Sequence, residues 1–165
     1  MLALAETGAH ESPLREAIHR LNYGTELGPA HELGSLVGSR IAADLSCGVP
    51  LDALVPVPLH PSRRRSRGCD QARALAEVDS APTGVAMRAA LHRLRVGPAQ
   101  PTLGQLDRRA SVHGAFASVA GRLHGLDVWL VDDVATTGAT LLDAAAAARA
   151  CGARTVRAYA VAIEE

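Results

Sequence analysis

An α/β fold with a central, mostly parallel sheet flanked by helices is predicted by three features of the sequence. Val128-Trp129-Leu130-Val131 is an uninterrupted apolar run, as expected of a strand covered on both faces. Ala139–Ala150 is alanine-rich and stops at Gly152, the pattern of a helix with its C-terminal signal. Thr155–Ile163 then reads as a closing strand, and strands alternating with helices imply parallel pairing.

The other elements follow in chain order. Met1 to the eleventh residue is expected to be disordered. Ser12-Pro13 is a helix cap with proline at the first helical position, Leu14, Ile18 and Leu21 share one face, and Gly24 ends the helix. A second amphipathic helix is predicted from about Glu26 to Leu45, with Leu33, Leu36, Val37, Ile41 and Leu45 as its stripe, before Gly48-Val49-Pro50 breaks it. Ala53–Val57 reads as a buried strand whose prolines confine it to a place where a ladder N–H can be missing. Pro58–Gly68 is a loop, Asp70–Val78 a helix and Ser80–Gly84 a break, while Met87–Leu94 suits either helix or strand. Arg95–Gly104, with two prolines and two glycines, is expected to be an exposed, mobile loop. Gln105–Val112 reads as a short helix and Ala115–Val119 as a short strand. No repeat or linker divides the 165 residues, which suit one domain.

Composition excludes several functions. With 48% apolar residues the chain can bury a sizeable core, and 17 acidic residues balance 17 basic ones. That balance argues against a surface built wholly for nucleic acid or an anionic membrane. Every basic residue is arginine, so a Walker lysine, a Schiff-base lysine and a lysine base are all ruled out. Cys47, Cys69 and Cys151 form no CxxC pair and are expected to be small buried hydrophobes in a reducing cytosol. No apolar run approaches the roughly 20 residues of a membrane span, and the N-terminus lacks a basic signal region. A soluble, cytoplasmic protein is expected.

The chemistry concentrates between Val128 and Leu141. A buried strand delivers two adjacent carboxylates, Asp132 and Asp133, at its C-terminal end, the edge where open α/β sheets bind ligands. The turn that follows, Val134-Ala135-Thr136-Thr137-Gly138-Ala139-Thr140, opens directly into a helix. Its free N–H groups and the helix dipole favour an anion, and three threonines add donors. Acceptors for a diol thus stand beside donors for a phosphate, the two features of a ribose 5-phosphate. Taken singly, Asp133 capping the turn and threonines bonding local backbone is a competing reading. Val-Asp-Asp also opens phospho-acceptor receiver domains, but those need a downstream lysine, and the chain has none.

This segment resembles the phosphoribosyl-pyrophosphate signature of type I phosphoribosyltransferases. The resemblance extends backward through Val55-Pro56-Val57-Pro58-Leu59-His60-Pro61, Arg67-Gly68, Gln71, Gln100, Arg108-Arg109 and Gly114-Ala115-Phe116. That order is similar to the competence protein F-like (ComF/GntX-type) branch and covers roughly Ile18 to the end. It implies a core parallel sheet with flanking helices and a small mobile hood. It further implies that Asp132 and Asp133 take the ribose hydroxyls and that Ala135–Thr140 cradle the 5-phosphate.

Pro58 to Arg67, including Leu59, His60, Arg63, Arg64 and Arg67, would hold pyrophosphate, with Gln71, Gln100, Arg108 and Arg109 completing the substrate contacts. Mg²⁺ is implied on the substrate, without direct protein ligation, reaching Asp132 and Asp133 through water. Arginines and a metal suit the charge of departing pyrophosphate. The four arginines from Arg63 to Arg67 also read as a solvated basic loop, or as a weak nucleic-acid patch with few aromatic residues to support it.

The sequence departs from the branch at Asn22, Cys69, Asp70 and Ser111, and it lacks the cysteine zinc module that relatives often carry. Thr136 stands where purine-salvage relatives have an aspartate, and the mobile-loop lysine of orotate enzymes is missing. The resemblance therefore implies transfer of ribose 5-phosphate to an unidentified acceptor. The alternative is a catalytically silent nucleotide-binding or assembly module linked to DNA uptake, with a partner in that machinery. A homodimer is expected from family habit.

Overall fold

The computed structural model describes residues 4–9, 28–59, 70–94 and 114–163. Five parallel strands form the main sheet in the order β1-β7-β6-β2-β3. They are β1 (Leu4–Ala9), β2 (Ala53–Pro56), β3 (Ala86–Met87), β6 (Asp127–Ala135) and β7 (Thr155–Ile163). An antiparallel pair, β4 (Leu91–Arg93) and β5 (Phe116–Ser118), stands apart. The helices are α1 (Gly28–Ser46), α2 (Gln71–Thr83) and α3 (Ala139–Ala150).

Side chains alternate across a strand, so β6 feeds two cores at once. Val128 and Leu130 join Val55, Phe116, Leu141, Ala144 and Ala158 under α3 and the β4–β5 pair. Trp129 and Val131 join Leu33, Val37, Ile41, Leu54, Leu75 and Tyr159 beneath α1 and α2. Each buried Val or Leu of this kind contributes about 1.5–3 kcal/mol, more than the net gain of a single ladder hydrogen bond. Two-sided burial therefore fixes β6 as the centre of the fold.

Several expectations are corrected. The N-terminal residues expected to be disordered include β1, which pairs with β7 along Leu4↔Ala158 to Ala9↔Ile163. Leu-Ala-Glu-Thr-Gly-Ala has weak strand propensity, so pairing to a distant strand overrides local preference. In α1, Leu33, Val37 and Ile41 are buried but Leu36 is 44% exposed. The buried face is turned toward Gly34 and Gly38, away from Leu36. α2 runs through the expected break to Thr83 and ends at Gly84, whose φ of 68° is the left-handed stop. A proline in the last turn removes one bond only, so the helix survives it.

Met87–Leu94 splits between two strands. β6 extends through Ala135, four positions beyond the apolar run, so both aspartates belong to the strand rather than to a loop. Cys151 is buried as expected, but Cys47 is exposed. The predicted helices at Ser12–Gly24 and Gln105–Val112, the Arg95–Gly104 loop and Cys69 lie outside the described residues. Among the described residues no helix is long and apolar enough to cross a membrane.

The N-terminal ends of the strands are fastened by charge. Asp127 is buried and accepts hydrogen bonds from Arg154 Nε (3.0 Å) and Thr155 Oγ1 (2.7 Å), with Arg154 Nη2 also on its carboxylate. Asp127 N donates to Asp52 Oδ2 at 2.8 Å, joining β6 to the start of β2. These bonds to charged partners hold Asp127 below the usual carboxylate range, with Arg154 the main cause and Thr155 the next. The opposite ends of the strands are left for other work.

Candidate functional site

β2 is much shorter than β6, and a proline ends it. Val57 N donates to Val131 O (2.9 Å), while Leu54 O accepts from Arg88 N on the β3 side (2.8 Å). Alternation then places the missing N–H of Pro56 on the β3 side, where the ladder has run out at Met87. The expectation about the prolines holds. Past Pro56↔Val131, β6 continues with β7 alone.

The released backbone is satisfied by the acids themselves. Asp133 N donates to Asp132 Oδ1 (3.0 Å), and Val134 N donates to Asp133 Oδ1 (2.9 Å). Local capping is thus part of what these carboxylates do, but it commits only one oxygen of each. Both residues are partly buried. Burial pushes the Asp132 carboxyl well above the usual carboxylate range, and the like charge of Asp133 adds to the push. The Asp133 N–H and the positive charge of Arg93 oppose it.

Thr136 to Gly138 turn the chain into α3. Gly138 is the cap residue, with φ of 69° and no side chain to bond the first turn. Space around a Cβ there is open, so glycine answers a backbone demand rather than a steric one. Thr137 Oγ1 accepts from Ala139 N at 3.4 Å. Val134, Gly138, Ala139 and Thr140 are partly buried, Ala135 is buried and Thr136 is exposed. The turn presents hydroxyls and first-turn N–H groups beside the acids, an arrangement suited to an anion.

Of the other predicted contacts, Pro58 and Leu59 leave β2 alongside the end of β6, both partly buried. Gln71 is 1% exposed at the start of α2, so its amide acts inside the fold rather than on an open surface. His60, Arg63, Arg64, Arg67, Gln100, Arg108 and Arg109 lie outside the described residues.

Two residues escaped the sequence reading. Arg93 ends β4 with its guanidinium carbon 5.2 Å from the centroid of the Phe116 ring, and its charge acts on Asp132. Asp143 is buried on α3 and accepts from Gly114 N (2.7 Å) and Ala115 N (2.8 Å). A lone acid on the buried, alanine-rich face of a helix was the available signal for Asp143. Nothing in Leu91-His92-Arg93 marked Arg93, whose position depends on strand pairing.

No protein-family model matches the chain. Among solved structures it resembles the glutamine phosphoribosylpyrophosphate (PRPP) amidotransferase from B. subtilis complexed with ADP and GMP, with TM-score 0.58 and 19% identity. It also resembles the allosteric regulatory enzyme of purine biosynthesis, with TM-score 0.51 and 20% identity. Each match covers 87% of this chain and 30% of the other, so the chain spans under a third of either structure. These neighbours establish the fold, that of the type I phosphoribosyltransferases, with its α/β sheet and flanking helices. The DNA utilization protein YhgH of Salmonella typhi is 30% identical over 159 residues, covering 94% of this chain and 70% of the relative. At that identity and coverage, the chain belongs to the family of DNA utilization protein YhgH.

Proposed function

We propose that the protein binds phosphoribosyl pyrophosphate or a closely related sugar phosphate and passes ribose 5-phosphate to an acceptor, releasing pyrophosphate. The observation that carries this reading is the adjacency of Asp132 and Asp133 to the Thr136–Thr140 turn at the C-terminal end of β6. Acceptors for the 2′- and 3′-hydroxyls and donors for the 5-phosphate then lie on consecutive residues. The competence protein F-like resemblance and the shared fold support it. The basic loop from Arg63 to Arg67 is proposed for the pyrophosphate.

Mg²⁺ fits this reading as a companion of the substrate. Among the described residues no group of three His, Cys, Asp or Glu side chains converges. The acid pair, with one oxygen of each engaged by backbone, suits hydroxyls or metal-bound water. The ion would neutralise the departing pyrophosphate.

Thermal stabilisation by phosphoribosyl pyrophosphate with Mg²⁺ tests the assignment. Wild type should be stabilised, and Asp132→Asn with Asp133→Asn should abolish the effect. Equal stabilisation of the double variant overturns it.

A second reading is favoured by the name of the Salmonella relative: a module serving DNA utilization, without turnover. Pyrophosphate release assayed over a panel of nucleobases and amines separates the two. Release with any acceptor supports the transferase, and binding without release for all supports the module.

A further inference from the structure

The β4–β5 pair touches both halves of the candidate site. Arg93 lies opposite Phe116 in the antiparallel register, and Leu94 N closes the pair on Ala115 O at 2.8 Å. The guanidinium is stacked over the Phe116 ring, and Phe116 is buried among Leu130 and Ala135 of β6 and Leu141 of α3. Asp143 ties the same pair to α3 through Gly114 and Ala115. Arginine's planar, weakly hydrated group suits such a partly buried stack, which fixes where its charge sits.

Asp132 has use for that charge. A carboxylate accepts from two hydroxyls only while ionised; protonated, it becomes a donor. Its register partner on β7 is Ala160, and β2 ends opposite Val131, so neither neighbouring strand offers a charge in register. Among the described residues, Asp133 of β6 and Arg93 of β4 are the charged groups that act on it.

We propose that Arg93 is the positioning residue of the acid pair: held on Phe116, it supplies the positive charge that lets Asp132 meet a sugar diol as a carboxylate. The role rests on the sugar-phosphate reading above.

The test has two arms. In the first, the Asp132 carboxyl carbon is followed by NMR against pH in the ligand-free protein, assigned with Asp132→Asn. Arg93→Gln should raise the midpoint by about one pH unit, the scale on which one neighbouring charge acts, and Arg93→Lys should restore most of it. An unchanged midpoint in Arg93→Gln overturns the proposal. If that variant fails to fold, Phe116→Leu keeps the arginine but removes its platform, and a midpoint equal to wild type is again fatal.

The second arm measures calorimetric binding of phosphoribosyl pyrophosphate with Mg²⁺ across pH. The acid limb of the affinity profile should move upward in Arg93→Gln and return in Arg93→Lys. Superimposed profiles for wild type and Arg93→Gln refute the role while leaving the sugar-phosphate reading intact. A wild-type protein that binds at no pH sinks that reading, and the role with it, whatever the titration gives.

Discussion

The carboxylate of Asp143 spans two consecutive backbone donors, Gly114 N at 2.7 Å and Ala115 N at 2.8 Å, and so bolts the entry of β5 to the helix that follows the threonine turn. No other side chain could do this as cheaply: two acceptor oxygens meet two N–H groups without moving either chain. Asp143 is buried, so water cannot take its place.

Replacing Asp143 with alanine should therefore destabilise the protein by about 2–3 kcal/mol, since paired donors lose their acceptor in a dry setting. Asp143→Asn keeps one acceptor and should cost roughly half as much. Urea denaturation of the three proteins measures the order. A loss for Asp143→Ala no larger than for Asp143→Asn contradicts it.

Asp132 should behave in the opposite sense. Its folded-state pKa is raised, so its contribution to stability is fully present below the unfolded carboxylate pKa and is lost as pH rises through the folded value. At neutral pH the ionised group is a cost to the fold. Asp132→Asn keeps an oxygen for the Asp133 N–H and removes the charge, so the ligand-free variant should melt higher than wild type while losing its response to phosphoribosyl pyrophosphate. Melting curves with and without ligand check both halves. A variant that melts lower shows that the charge is not the burden inferred.

Asp127 gives the acid limb of stability. Its pKa is lowered by Arg154 and Thr155, so the stability it contributes is present above the unfolded carboxylate pKa and is lost as pH falls through the folded value. Urea midpoints taken from about pH 7 to about pH 3 should fall steeply for wild type and less steeply for Asp127→Asn, which starts lower. Parallel curves would remove Asp127 from the account of acid unfolding.

Much of this architecture was legible in the residues. Val128–Val131 announced a two-faced strand, Ala139–Ala150 a helix, and the prolines of Ala53–Val57 a ladder that must stop. The acids and threonines were legible because their order along the chain is also their order in space. Arg93 and Asp143 were not, because each acts on residues far away in sequence, and only pairing and packing bring them together. β1 was hidden for the same reason: its partner β7 lies at the other end of the chain. The reach of β6 past Val131 was missed because Asp132 and Asp133 interrupt an apolar pattern that β7 nonetheless carries onward to Ile163.

The unequal lengths of β2 and β6 have one more consequence. From Asp132 to Ala135 the longer strand stands on a ledge, flanked by β7 on one side only. A molecule settling there would evict no neighbour from either core and break no rung. Natural selection could thus retune what rests on the ledge, residue by residue, while the layers below stay as they are.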